Sequence, residues 1–360
     1  MKILKHGILP SIEEDRRSCW PSICRLADGR LAAVFSGGRT AHVDPYGRVD
    51  ITYSSDEGAT WTKPITIFDT PLDDRDAGIV NWKGKTVVTT FNNTIFMQMR
   101  NFIQWRDYCW DAEWQKIIGD YLVNFPMKDE KKYLGSILLI SEDGQNFTEE
   151  IKLPVTAPHG PVVLKDGTLF YVGGAYQSHN SEENTDELPT GIYVMATKDG
   201  QNWTVPTALP KVDFAALYEP HAVECNDGRV LIFARAEQYA TGGTMTILYT
   251  YTTDGGKTFE PWKNLGVEGN VGPTQVIKLK DGRILASFGK RDEPCGIRAV
   301  VSEDDGATWS EQLVIRDDGM DWDLGYPCSV ELKNGNILTV YYFKTPNLDI
   351  QRIHYTIWSI

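Results

Sequence analysis

The sequence predicts an all-β chain folded as a six-bladed β-propeller, and two interleaved repeats predict it. The first is a box found five times: Ser54-Ser55-Asp56-Glu57-Gly58-Ala59-Thr60-Trp61, Ser141-Glu142-Asp143-Gly144-Gln145-Asn146-Phe147, Thr197-Lys198-Asp199-Gly200-Gln201-Asn202-Trp203, Thr252-Thr253-Asp254-Gly255-Gly256-Lys257-Thr258-Phe259 and Ser302-Glu303-Asp304-Asp305-Gly306-Ala307-Thr308-Trp309. Each copy carries a hydroxyl, an Asp two residues on, a Gly and an aromatic. Asp and Ser/Thr bond their own backbone in tight turns, and Gly takes positive φ without steric cost. The second repeat is an apolar hairpin found six times. Its turns are Asp28-Gly29, Lys83-Gly84, Asp166-Gly167, Asp227-Gly228, Asp281-Gly282 and Asn334-Gly335. Asp-Gly or Asn-Gly between apolar runs is a strong hairpin signal.

In chain order the hairpins are Trp20–Phe35, Gly78–Phe91, Gly160–Val172, Pro220–Ala234, Pro273–Phe288 and Pro327–Tyr342. A box follows each of the first five and is expected to join the third and fourth strands of its blade. Four antiparallel strands repeated radially leave only short, protected sheet edges. The sixth unit has no box, but Ile353–Ile360 reads as one more strand, expected to close the ring beside the N-terminal segment. The repeats run from end to end, so residues 1–360 are read as one domain.

One segment, residues 92–132, interrupts the second unit. Within it, Phe102 to Trp114 is read as a helix with aromatics at 102, 105, 110 and 114. It is expected to pack on the propeller rim, the alternatives being a lid or a subunit contact in a homo-oligomer.

A net charge of −13 argues against a nucleic-acid partner. Six Cys without close metal-type spacing are expected to be buried free thiols, and neither a metal nor a cofactor is expected. The N-terminal residues offer no apolar signal core, and no stretch has the length of a membrane helix, so no membrane partner and a cytoplasmic location are expected.

In a propeller, polar residues near the inner strand openings meet around an axial channel. The first blade offers Arg16, Arg17, Arg39 and Asp44, the last beside Pro45, where an Asp is often a turn former. The second offers Asp74, Arg75 and Asp76, and the third His159. In the fourth, Glu219 and His221 open the first strand and Arg235 ends the second. The fifth offers Lys290, Arg291, Asp292 and Arg298. In the sixth, Tyr326 takes the place that Glu219 holds two blades earlier. Several Arg in one channel suit an anionic ligand, since guanidinium grips carboxylate in a bidentate fork. A phenol beside a carboxylate has a further use. It becomes a nucleophile when a base takes its proton, and it avoids setting a carboxylate against an anionic substrate.

The boxes resemble the Asp-boxes of the sialidase superfamily, whose fold is a six-bladed propeller, and the resemblance covers nearly the whole chain outside 92–132. Phe35-Ser36-Gly37-Gly38-Arg39 resembles the family segment ending in a binding-site arginine. Asp44 falls where the family keeps its acid/base Asp. The stretch from Glu219-Pro220 to Ala234-Arg235 is similar to the segment that supplies the Glu assisting the nucleophile and a triad Arg. Tyr326 falls where the nucleophilic Tyr is expected. The family opens its first strand with Arg-Ile-Pro, whereas this chain has Cys19-Trp20-Pro21, so the first triad arginine is absent there. The third is Arg291 or Arg298.

The resemblance implies a retaining exo-glycosidase that removes a terminal acidic sugar from an oligosaccharide or glycoconjugate. Tyr326 would be the nucleophile, Glu219 its base and Asp44 the acid/base. Arg17, Arg39, Arg75, Asp76, His159, His221, Arg235 and Arg291 or Arg298 would contact the substrate. The alternatives are a glycosidase or lyase on another uronic or neutral sugar, with His159 or His221 as acid or base, and a non-catalytic glycan-binding propeller.

Overall fold

The computed structural model describes residues 1–176, 188–240 and 242–360. Their strands form six antiparallel sheets, five with four strands and one with five. The inner strands are Arg17–Arg25, Asp73–Trp82, Val162–Val163, Ala215–Glu224, Val271–Lys278 and Gly325–Glu331. Neighbouring blades touch in chain order, and the sixth returns to the first. The chain is therefore a six-bladed propeller. The N-terminal strand Lys2–Ile8 closes it, pairing with the C-terminal strand Leu348–Ser359 at the outer edge of blade six.

The boxes lie between third and fourth strands, as their composition predicts. In the first, Ser54 Oγ donates to Asp56 Oδ1 at 2.8 Å, while Asp56 accepts from the backbone N–H of Thr60 at 2.9 Å. The box glycines then lie against the preceding blade. A Cβ on Gly58 would stand 2.3 Å from Leu338, one on Gly256 2.6 Å from Val194, and one on Gly306 2.4 Å from Leu231. The boxes thus fasten one blade to the next, and blade six is closed by the N-terminal strand instead.

The apolar faces of adjacent blades pack on each other. One cluster joins Trp20, Ile23, Phe35, Tyr326, Val340 and Tyr342, and so closes blade six onto blade one. The cysteines are free, four of them buried. No helix among the described residues is long and apolar enough to cross a membrane.

The insertion differs from its expected form. It holds two main helices, α1 (Ile95–Cys109) and α2 (Ala112–Asn124), rather than one across Phe102 to Trp114. Trp110 is extended and Asp111 starts the second helix by accepting from the Trp114 N–H, a side-chain cap that favours a fresh start over continuation. The pair packs through Ile95, Trp110, Ile118 and Leu122 on Ala41 and Leu72. Trp110 Nε1 donates to Thr40 Oγ1 at 2.8 Å, which ties the insertion to the loop after the first hairpin.

Candidate active site

Five inner strands carry a register shift that skips two residues: Trp20-Pro21, Asp76-Ala77, Glu219-Pro220, Gly272-Pro273 and Tyr326-Pro327. Proline has no N–H for the ladder, so a bulge is where a strand tolerates it. A bulge also re-aims the side chain it carries. Trp20, Asp76, Glu219 and Tyr326 all sit there at positive φ, 50°, 55°, 50° and 50°. Left-handed backbone costs a non-glycine residue roughly 1–2 kcal/mol, and such strain clusters at functional sites. Asp76, Glu219 and Tyr326 belong to alternate blades, the second, fourth and sixth. Gly160, at φ 73°, holds the matching place in blade three, and a Cβ on nearby Gly78 would lie 2.3 Å from its nitrogen.

These side chains meet at the axis. The Tyr326 hydroxyl donates to Glu219 Oε1. Glu219 Oε2 lies 2.8 Å from Arg235 Nη1. The Arg291 guanidinium stands 5.8 Å from the centre of the Tyr326 ring, and the Trp20 and Tyr326 ring centroids are 6.4 Å apart. Burial, and then the Glu219 carboxylate, push the Tyr326 phenol well above its ordinary value. It therefore rests protonated, with a carboxylate waiting for the proton. Burial raises the Asp76 carboxyl to about 6 against the pull of Arg75, whose Nε is 3.3 Å away.

Arg291 is buried, and among the described residues its guanidinium has neither a hydrogen bond nor an ion pair, with Nε unsatisfied. An unpartnered buried charge is costly. Gly272 makes room for it, since a Cβ there would touch Arg291 Nε at 3.4 Å. The arrangement suits an anion brought in by a ligand, between Arg291 and Arg235.

Other expected residues have different roles. Arg39 is fully buried and spends its Nη donors on Ser36 Oγ, the carbonyls of Asp74 and His42, and the carboxylate of Asp73, with Nε left unsatisfied. Arg39 and Arg75 lie 4.7 and 4.0 Å from the Trp20 ring, so the tryptophan standing where the family opens with arginine is flanked by two guanidiniums. Arg298 donates to the carbonyls of Ile297, Pro294 and Arg316 within its own blade, because its strand is third from the axis; it is not brought to the cluster. Arg17 reaches toward Asp323 at 3.8 Å, and Arg16 lies 4.3 Å from the Trp114 ring of the insertion. Asp74 is buried and accepts from Thr70 and Asn92, while Lys290 pairs with Asp292 at 3.0 Å.

Asp44 is buried, and its oxygens face its own loop. Oδ2 accepts from the N–H groups of Thr40 and Ala41, each at 2.7 Å, and Oδ1 from that of Tyr46 at 2.8 Å. It fastens a turn, the role that its place beside Pro45 suggested. His159 and His221 are buried, their centroids 5.7 Å apart and His159 6.4 Å from Tyr326. Burial lowers both imidazoles, His221 to about 4, so they are neutral near pH 7. They also line a cavity of about 550 Å³ with Arg25, Val80, Glu224, Lys278 and Glu331, at the opposite ends of the inner strands.

A family model described as a BNR repeat-like domain matches residues 113–339. The chain belongs to this BNR repeat-like family. No curated protein matches it. Among solved structures, the BNR repeat-like chain is similar over 100% of its length to 99% of a protein of unknown function from Dyadobacter fermentans DSM 18053, with 23% identity and a TM-score of 0.76. It is also similar over 100% of its length to 71% of the NanB sialidase of Streptococcus pneumoniae, with 14% identity and a TM-score of 0.66. The same share of the chain matches 99% of a Penicillium chrysogenum alpha-L-arabinanase, with 13% identity and a TM-score of 0.66. These likenesses establish a sialidase-like propeller fold.

Two polar residues of this BNR repeat-like propeller escaped sequence reasoning. His42 Nδ1 lies 3.3 Å from Asp323 Oδ1, and the His42 ring meets Trp20 edge-on at 5.0 Å. Both residues sit in loops of blades adjacent only through ring closure, so no local pattern announces the pair. The one available signal was their nearness in sequence to Asp44 and Tyr326.

Proposed function

We propose that this protein is a retaining glycoside hydrolase acting on a sugar that bears a carboxylate, with Tyr326 as nucleophile and Glu219 as its base. The observation that carries the reading is the hydrogen bond from Tyr326 to Glu219 beside Arg235 and Arg291, whose guanidinium has no hydrogen bond or ion pair among the described residues. A phenol that rests protonated is a weak nucleophile. Handing its proton to a carboxylate in contact makes attack feasible without deprotonating the phenol in solution. Two guanidiniums beside it would hold the substrate carboxylate, a group that would repel a nucleophilic Asp or Glu. Tyrosine nucleophiles in glycoside hydrolysis occur in sialidases.

In the first step the Tyr326 oxygen bonds to the anomeric carbon, its proton passes to Glu219, and the aglycone leaves as it gains a proton. In the second, water attacks the same carbon, the tyrosine ether bond breaks, and Glu219 returns the proton. Two displacements at one carbon retain its configuration. Asp76, at the same bulge on blade two, faces the same space and suits a hydrogen bond to a sugar hydroxyl.

The test is a screen of 4-nitrophenyl glycosides of acidic and neutral sugars, with Tyr326→Phe alongside. Cleavage of an acidic glycoside, lost by a factor of about 10³ or more in the variant, is the expected result. Unchanged turnover by Tyr326→Phe would refute the assignment.

A further inference from the structure

Resting on the glycosidase reading above, we propose that His42, oriented by Asp323, is the acid that protonates the leaving oxygen and the base that then activates water. Asp44 stands where such a group is expected, yet three backbone N–H groups and the Thr40 hydroxyl hold its carboxylate inside the loop. Reaching a glycosidic oxygen would break those bonds and unfasten the turn. The same turn carries His42. Its carbonyl accepts from Arg39 at 2.9 Å and Arg75 at 3.4 Å, and the insertion supports the turn through Trp110.

The His42 side chain is 44% exposed, unlike Glu219 and Tyr326. An aglycone departs toward solvent, so its proton donor belongs at the wet rim rather than on the floor. With Nδ1 on Asp323, Nε2 is the free end, and no described group bonds to it. Asp323 is itself held by the Tyr342 hydroxyl at 3.0 Å and Gln351 Nε2 at 3.2 Å, with Arg17 nearby. It lies three residues before Tyr326 in the sequence, so one segment supplies both the nucleophile and the group that orients the acid. His42 adjoins the Trp20 ring, which borders Tyr326, and a base oriented by a carboxylate is the arrangement that acid–base catalysis uses.

The protons balance. His42 Nε2–H gives its proton to the leaving oxygen as the bond from that oxygen to the anomeric carbon breaks and the bond to Tyr326 forms. Neutral His42 then takes a proton from the attacking water as the tyrosine ether breaks, and it ends the cycle protonated. Desolvation of the covered part of the ring works against the charge; of the neighbouring groups, Asp323 favours the imidazolium, and Arg75 and Arg39 oppose it.

The experiment compares His42→Gln with the wild type on methyl and 4-nitrophenyl glycosides of N-acetylneuraminic, glucuronic and galacturonic acids, with and without sodium azide. A 4-nitrophenolate leaves with little protonic help, so the expected loss is about 10²–10⁴-fold on the methyl glycoside and far smaller on the aryl one. Azide should yield a glycosyl azide of retained configuration. Equal losses on both leaving groups, or no loss, overturn the proposal. So does finding the leaving-group dependence and azide rescue in Asp76→Asn instead. Tyr326→Phe in the same assay separates the two readings. If it alone abolishes turnover, only the role of His42 fails; if it is fully active, or if the wild type cleaves none of these glycosides, the glycosidase reading fails and this inference with it.

Discussion

The Tyr326 hydroxyl donates to the Glu219 carboxylate across two blades of the ring, over a sequence separation of 107 residues. Neither side chain could hold that position on a regular strand. Each sits at a bulge, at φ 50°, with proline after it. The strain is local, and the blade packing around it is what maintains it.

Glu219→Gln keeps the shape of the side chain but removes the proton acceptor and the partner of Arg235. We expect kcat to fall about 10²–10⁴-fold, the usual scale for a lost general base. The folded structure, followed by circular dichroism, should be retained. A kcat within a factor of two of the wild type would show that the phenol needs no base.

Arg291→Met should separate stability from function. It removes a buried cation that has no hydrogen bond or ion pair among the described residues and supplies apolar packing in its place. The expected outcome is a gain of about 1 kcal/mol in stability, measured by urea titration, together with a large rise in KM for acidic glycosides. A loss of stability would mean that the guanidinium is satisfied without a ligand.

The pH dependence follows from His42. Desolvation of the part of the ring packed against Trp20 lowers its imidazole, Asp323 raises it in part, and Arg75 and Arg39 lower it further. The acid works only when protonated, so activity is lost as pH rises through its pKa. The alkaline limb of kcat/KM is expected below the ordinary imidazole value of about 6.5. In Asp323→Asn the raising influence is gone, and the limb should move to lower pH. A shift to higher pH would contradict the pairing.

The boxes should make the fold acid-sensitive. Bonds from the Thr60 hydroxyl and N–H lower the Asp56 carboxyl to about 2, and those from Thr308 do the same for Asp304. The folded value lies below that of the unfolded chain, so this stabilisation is complete above the ordinary carboxylate value of about 4 and fades as pH falls toward 2. Thermal melts between pH 5 and 2 should show the decline, with a shallower slope in Asp56→Asn. An unchanged slope would mean that the boxes do not set it.

The ring of blades was legible because its signals are local. Asp-Gly turns, box turns and X-Pro openings each act within a few residues, and repetition exposed them. The equivalence of Glu219 and Tyr326 was legible for the same reason. Asp76 has Ala77 after it instead of proline, so its bulge gave no sign, and the hairpin seemed to start at Gly78. The break at Trp110 was hidden because aromatic spacing does not reveal that Asp111 caps a new helix. The roles of Asp44, Arg39 and Arg298 depend on which acceptors and donors the fold brings near, and the pairing of His42 with Asp323 depends on ring closure. Only the Asp44 turn, bonded by Thr40, Ala41 and Tyr46, lies within one window of sequence.

The most direct measurement is to trap the covalent intermediate. The enzyme is inactivated with a fluorinated analogue of the acidic sugar it cleaves, digested, and its labelled peptide sequenced by mass spectrometry. One sugar on Tyr326, and none in Tyr326→Phe, is the expected result. A label on Glu219, Asp76 or His42, or turnover of cleavable glycosides with no covalent adduct on any residue, would contradict it.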